Sequence, residues 1–377
     1  MSFIPSAATR IAAAALALFA LVASARAQAP VTPPASLVAA PVTPADHLRA
    51  AKTWGYQLVG LDVARLAATD TGVLVIDYAR DGSAATVLVP ADLERLKRRP
   101  DGGRRVVLAY LSIGEAEDYR FYWNRWWGDL WFITNPFGPS WRSKQNGDWG
   151  GNYAVRYWDP RWQEIVLGSA QYKGYLDRIL EAGFDGVWLD KVDSALEDVA
   201  RANPNARADM IMFVRRIADK ARGISPGFLV VPQNGEELLA EPGYRAIIDG
   251  IGKESLLFGE PGEGRPNTQA AIASRTGLLQ LAVAEKKPVL AVEYLGDAAA
   301  AEAARGELAR LGFVPLRAVR ALDRLPGEFG PVAAGAAPDA GDAPDRRRGG
   351  RGSAKLLGAG ALAALFGAWL IWRRLRT

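Results

Sequence analysis

Residues 183–194 read GFDGVWLDKVDS, and this stretch decides the fold. Gly183 suits the end of a helix, because glycine takes the left-handed backbone of a last turn without steric cost. Asp185-Gly186 turns the chain. Val187, Trp188 and Leu189 make an apolar run short enough for a strand buried on both faces, and Asp190 emerges where that run stops. A helix end, a tight turn, a buried strand and a terminal carboxylate are the pieces of one unit of a parallel α/β sheet.

Working outward, the same rhythm recurs. Runs rich in β-branched or aromatic residues at 54–58, 73–77, 105–112, 186–190, 228–233, 247–252, 288–294 and 313–316 predict eight strands. The gaps hold helical patterns such as DLERLKRR (92–99), QEIVLGSAQYKGYLDRILEAG (163–183) and ADMIMFVRRIADKARG (208–223). No glycine-rich phosphate fingerprint follows an early strand, which argues against a nucleotide-binding sheet. The expected fold class is α/β, a (β/α)8 TIM barrel over residues 45–328. One excursion, 115–159, follows the third strand and holds seven of the twelve tryptophans, at 123, 126, 127, 131, 141, 149 and 158. Five of these seven are expected to pack the excursion's own core and the rest to offer aromatic faces at the rim.

The two ends read differently from the body. Residues 1–27 have the parts of a secretory signal: Arg10, the apolar run IAAAALALFALVA, and Ala25-Arg26-Ala27 before Gln28. A Pro/Ala-rich lead-in, 28–44, is expected to be extended. Past the body come an Ala/Gly/Pro/Arg linker, 329–355, a charge-free run of 17 residues, 356–372, and a basic end, 373–377. At ~1.5 Å per residue the run reaches roughly 25 Å, enough for a transmembrane helix with snorkelling flanks. The basic end should stay cytoplasmic, which predicts an exported body held at the outer face of the inner membrane. Gly349-Gly350 and Gly352-Ser353 also resemble C-terminal signals trimmed by a membrane protease.

Net charge is +5, but setting aside the two basic residues of 1–27 and the eight of 346–377 leaves 36 basic against 41 acidic residues. The basic excess belongs to the membrane ends, so no nucleic-acid partner is expected. With no cysteine and a single histidine, His47, the chain has neither a thiol nucleophile nor a Ser-His-Asp triad nor a His-rich zinc centre. Catalysis must rest on carboxylates, with no cofactor or metal expected.

In (β/α)8 barrels the active site lies at the carboxyl ends of the strands. Asp190 and Glu254 end the fourth and sixth expected strands and are the candidate catalytic pair. Candidate substrate-binding residues at the same rim are Asp77, Tyr78, Tyr110, Ser112, Glu115, Lys191, Asp193, Asn234, Glu236, Glu293 and Tyr294. Asp185 reads as turn chemistry. Asp190 also suits a helix cap, and Glu254, beside Lys253, suits a structural salt bridge. Two carboxylates flanking a glycosidic bond suffice for its hydrolysis, which predicts a polysaccharide substrate. The alternative is a non-catalytic polysaccharide-binding or exopolysaccharide-assembly protein at the membrane.

Through WGYQL, VLVIDY, VLAYLSIGEAEDYR, GFDGVWLDKVDS, PQNGEELL, GKESLLFG and AVEYL, in that order from Trp54 to Arg317, the chain resembles the endo-α-1,4-polygalactosaminidase family of glycoside hydrolases. The resemblance implies a TIM barrel that cleaves α-1,4 links in partly deacetylated N-acetylgalactosamine polymers, including a Pel-like biofilm polysaccharide. By the same resemblance Asp190 is the nucleophile, Glu254 the acid/base, and the anomeric configuration is retained.

Overall fold

The computed structural model describes residues 42–128 and 138–325. The signal segment 1–27, the lead-in up to residue 41, Trp131, the linker 329–355, the apolar run 356–372 and the basic end 373–377 lie outside the described residues. Among the described residues no helix is long and apolar enough to cross a membrane.

Thirteen strands occur among these residues. First come β1 (Trp54–Gln57), β2 (Val73–Ile76) and β3 (Val106–Ser112), and the excursion then forms β4 (Glu115–Glu117), β5 (Arg142–Gln145) and β6 (Asn152–Val155). They are followed by β7 (Gly186–Asp190), β8 (Leu229–Pro232), β9 (Ile251–Glu254), the short pair β10 (Phe258–Gly259) and β11 (Gly262–Pro266), then β12 (Val289–Glu293) and β13 (Val314–Arg317). Five strands pair in the order β1-β2-β3-β7-β8 and three in the order β9-β12-β13, all parallel. A parallel bridge between Gln233 and Gly252 joins the two sheets. At the opposite edges Trp54 Nε1 donates to the Val314 carbonyl at 3.0 Å. The result is a TIM-barrel-like α/β fold.

Helices fill the crossovers: α1 (Pro44–Ala50) precedes β1, and α2 (Val63–Ala67), α3 (Pro90–Leu96), α4 (Pro160–Leu167), α5 (Tyr175–Ala182), α6 (Ala206–Ile224), α7 (Pro242–Arg245), α8 (Gln269–Ala284) and α9 (Ala298–Arg310) follow. Both faces of the strands are covered, so the strands read as continuous apolar runs. Alternation then sorts their side chains. Trp54, Tyr56, Val75, Leu108, Tyr110, Trp188, Val231 and Val292 fill the interior, whereas Leu74, Ile76, Val107, Val187, Leu189 and Val230 pack outward against the helices. Leu48 of α1 joins the interior cluster, fully buried. That helix starts at Pro44, where Thr43 and Asp46 form a reciprocal capping box.

In the middle of the interior the Trp188 ring lies 5.3 Å from Trp54 and 5.5 Å from Tyr56, centroid to centroid. A Cβ on Gly252 would stand 2.2 Å from the same ring. Glycine is thus required there for a close approach.

Two expected element bounds need correction. The helical pattern over 163–183 divides into α4 and α5: Gly168 takes a φ of +82°, and a Cβ on Gly174 would stand 2.2 Å from the Gly168 nitrogen. The sixth parallel strand spans Ile251–Glu254 rather than 247–252. The Asp249 carboxylate accepts from Val230 N and Arg222 Nη2 at 2.8 and 2.7 Å, which pins 247–249 as a loop whose isoleucines pack into the outer core.

The excursion folds as an antiparallel sheet in the order β4-β6-β5. Trp141 is buried and Trp123, Trp127 and Trp158 are half-buried, all continuous with the main core rather than a separate one. Trp126 is exposed. Asp185 is more than a turn residue: its carboxylate accepts from Val107 N at 3.0 Å and pairs with Arg104 at 2.7 Å, strapping β7 to β3.

Candidate active site

Asp190 closes β7, Glu254 closes β9, and Gln233 follows β8 between them. Alternation puts Asp190 in phase with Trp188, Gln233 with Val231 and Glu254 with Gly252, so all three turn to the interior. The residue after each has a left-handed backbone: φ is 61° at Lys191, 58° at Asn234 and 53° at Ser255. Non-glycine residues hold that conformation only where the surroundings impose it, and such strain concentrates at functional sites. At Lys191 it brings the backbone N–H onto Asp190 Oδ1 at 2.7 Å.

One side chain joins the two acids. Gln233 Nε2 donates to Asp190 Oδ1 at 3.0 Å and to Glu254 Oε2 at 2.7 Å. The two carboxylate oxygens are therefore no further apart than those distances laid end to end. The Gln233 carbonyl oxygen accepts from Tyr56 OH at 3.0 Å and from Trp188 Nε1. On the outer flanks Tyr110 OH donates to Asp190 Oδ2 at 2.7 Å, and Tyr294 OH donates to Glu254 Oε1.

Burial, reinforced by the neighbouring Glu254, pushes the Asp190 carboxyl up to about 8, against the opposing bond from Tyr110. With its carboxyl raised that far, Asp190 keeps its proton near neutral pH while the cavity is empty. Asp193, raised to about 6 by burial, lies 3.9 Å from Lys191 Nζ. Burial also holds the hydroxyls of Tyr110 and Tyr294 well above their ordinary range, so both remain donors. Lys253 faces away from Glu254 and pairs with Glu236 at 2.9 Å.

The pair opens into a cavity of about 970 Å³. Its walls come from the loop after β7, from Tyr294 and Arg320, and from residues 143–150 of the excursion. Glu115 accepts from Asn146 and Asn152 at 2.9 and 3.2 Å, tying the base of the β5–β6 hairpin to the barrel. The hairpin thus holds Trp149, half-buried, on the cavity wall. Nine acidic side chains line the cavity against Lys144, Lys191 and Arg320, so it favours cationic groups. Among the described residues no group of three or more His, Cys, Asp and Glu is arranged to hold a metal ion.

Of the residues expected at the rim, Asp190, Glu254, Tyr110, Glu115, Lys191, Asp193, Asn234 and Tyr294 line this cavity. Five do not. Asp77 is fully buried and paired with Arg120 at 2.9 Å. Tyr78 turns outward and meets Tyr175 edge-on at 4.8 Å. Ser112 stands beside Asp190 in the ladder, but its hydroxyl is buried without a hydrogen-bond partner among the described residues. Glu236 is taken by Lys253 and by Arg275 at 3.2 Å. Glu293 turns to the outer face of β12 and accepts from Leu257 N at 2.8 Å and Phe258 N at 3.3 Å, fixing the loop after β9. Sequence reasoning noted Gln233 as a polar strand end without giving it a role at the site, and missed Tyr56, Asn146, Asn152 and Arg320. The spacing of Gln233 from Leu229 and Val231, two inward residues at intervals of two, carried the signal.

Known proteins agree with this architecture. Residues 33–333 match Glycoside-hydrolase family GH114, and the chain belongs to that family of glycoside hydrolases. An uncharacterized protein of Deinococcus radiodurans is 34% identical over 297 residues, covering 78% of this chain and 88% of its own. An uncharacterized protein of Thermotoga maritima is 36% identical over 250 residues, covering 65% and 71%. The glycoside hydrolase domain of PelA from Pseudomonas aeruginosa has a similar fold, with a TM-score of 0.54 at 22% identity over 73% of this chain and 97% of that one. Ega3 of Aspergillus fumigatus, solved in complex with galactosamine, gives a TM-score of 0.51 at 19% identity over 71% and 91%. The family resemblance read from the sequence motifs is thereby shown.

Proposed function

We propose that this protein is an endo-acting hydrolase of α-1,4-linked galactosamine and N-acetylgalactosamine polymers that retains the anomeric configuration. The observation that carries the reading is the shared Gln233 nitrogen, which holds the facing oxygens Asp190 Oδ1 and Glu254 Oε2 at 3.0 and 2.7 Å from one atom and so supports the close spacing of a retaining pair. The acidic cavity supports the substrate class, because a deacetylated amino sugar is cationic.

In this mechanism an Asp190 oxygen attacks the anomeric carbon while the glycosidic C–O bond breaks and Glu254 gives its proton to the leaving oxygen. Water then attacks the anomeric carbon of the glycosyl ester, Glu254 takes the water proton, and Asp190 leaves as carboxylate. Three donors on Asp190, from Tyr110, Lys191 N and Gln233, suit an anionic nucleophile. Asp190 is raised to about 8 in the empty cavity, and an ammonium group bound there would favour its anion.

Incubation with partly deacetylated poly-N-acetylgalactosamine should release short oligosaccharides with retained configuration by NMR. Asp190→Asn and Glu254→Gln should each slow release by about 10³-fold or more. Saturable binding without product, or release indifferent to both substitutions, would overturn the assignment. Export by residues 1–27 and membrane attachment by 356–372 belong to the same proposal and rest on the sequence alone. Recovery of the full chain in the soluble fraction after cell breakage would refute attachment.

A further inference from the structure

The orientation of the Gln233 amide is forced. Two donors, Tyr56 OH and Trp188 Nε1, converge on one of its ends, so that end is the carbonyl oxygen and the end facing the carboxylates is the NH2 group. Tyr56 and Trp188 are themselves buried and wedged against each other, with Trp188 seated over Gly252. A side chain anchored this way presents one hydrogen to Asp190 Oδ1 and the other to Glu254 Oε2.

We propose that Gln233 is a positioning residue whose amide sets the separation of Asp190 and Glu254 and couples them into one unit. The inference deepens the two-carboxylate reading above and rests on it. Two carboxylates side by side repel, and a neutral donor between them offsets that repulsion without adding charge. The other groups near the pair come from separate elements. Tyr56 and Tyr110 come from β1 and β3, and Tyr294 follows β12 with the Arg320 guanidinium 4.6 Å over its ring. Lys191 and Asp193 follow β7, and Lys191 is drawn to Glu197 and Glu115. Lys253 is engaged by Glu236. Tyr110 and Tyr294 each serve the acid on their own side, whereas the Gln233 amide reaches both.

Gln233→Glu keeps the shape and the acceptor for Tyr56 and Trp188 but replaces the NH2 by a carboxyl that donates only when protonated, and then to one partner. In the full-length protein acting on partly deacetylated poly-N-acetylgalactosamine, kcat near neutral pH should fall by at least about tenfold, with KM within about threefold. The pH–rate optimum should move to lower pH, where the introduced carboxyl is protonated. Gln233→Leu, with no donor, should lose kcat without recovery in acid. Infrared titration of the carboxyl bands in the unliganded protein should show the pair displaced in both variants. Tyr56→Phe, which removes one anchor of the amide while keeping the ring, should displace it in the same direction and serves if the other two do not fold. An unchanged optimum with unmoved carboxyl bands overturns the proposal, as does a uniform loss of activity at every pH with unmoved bands. If the unsubstituted protein releases no product, the hydrolase reading fails, and the infrared titration still decides the role of Gln233.

Discussion

Lys253 and Glu254 are neighbours in the chain and opposites in space: the lysine ammonium sits 2.9 Å from Glu236, while the glutamate turns into the barrel toward Gln233. Side chains alternate across a strand, so two consecutive residues of β9 point to opposite faces, although Asn234 reaches both, accepting from Lys253 Nζ at 3.3 Å and donating to Glu254 Oε2 at 3.5 Å. The cation that stands beside Glu254 in the sequence therefore does not pair with it. It neutralises a buried carboxylate on the other face instead.

That separation makes the lysine a matter of stability rather than chemistry. Lys253→Met leaves Glu236 buried, with Arg275 at 3.2 Å as its remaining cation among the described residues. Removing one partner of such a pair costs about 3 kcal/mol, the lower end of the usual range because Arg275 remains. Urea denaturation should show that loss, and the pH–rate optimum should not move. A shifted optimum at unchanged stability would contradict the division of labour across β9.

Asp190 should give the protein a pH-dependent stability of definite sign. Its carboxyl is raised from an ordinary 3.8 to about 8 in the folded chain, so between those values the folded state holds a proton that the unfolded state releases. Stability from this group is fully present below the lower value and is lost as pH rises through the upper one. Asp190→Asn, neutral throughout, should be more stable than the parent at pH 8 to 9 by on the order of 1–2 kcal/mol, with the gap closing as pH falls toward the ordinary carboxylate range. Denaturation at a series of pH values checks this, and a gap constant with pH would refute it.

Trp149 is the tryptophan on the cavity wall. A ring that stacks on a sugar face removes apolar surface from water, and it does so equally before and during reaction. Trp149→Ala should therefore raise KM several-fold and leave kcat nearly unchanged. Steady-state kinetics on the polymer separate the two, and a fall in kcat with constant KM would remove Trp149 from substrate binding.

Most of the barrel was legible because its strands are apolar on both faces and its crossovers carry helical patterns. Seven of the eight expected parallel strands fall within one or two residues of their observed bounds. The eighth was displaced because Ile247 and Ile248 are apolar for a reason other than strand formation: they plug the outer core from a loop. The site was legible to the extent that strand ends mark it. What the sequence conceals is phase. In a strand with both faces buried, nothing in the residue types says which face a terminal acid will take, so Glu293 and Asp190 look alike. Glu293 faces outward to backbone donors and Asp190 inward to the cavity. Gln233 was given no role because an uncharged amide at a strand end raises no electrostatic alarm, although it touches both acids.

Gly252 extends the meaning of the site below its floor. Because that position has no side chain, an indole fills the space, and the indole N–H grips the amide that holds the two acids. A position of the barrel interior with no room for a side chain is thus only two links from the candidate catalytic pair. Efforts to harden this protein by enlarging residues in its central layer would be felt first at Gln233 and the two acids it touches. The outer shell, where strands meet helices, is the place to reinforce it without disturbing turnover.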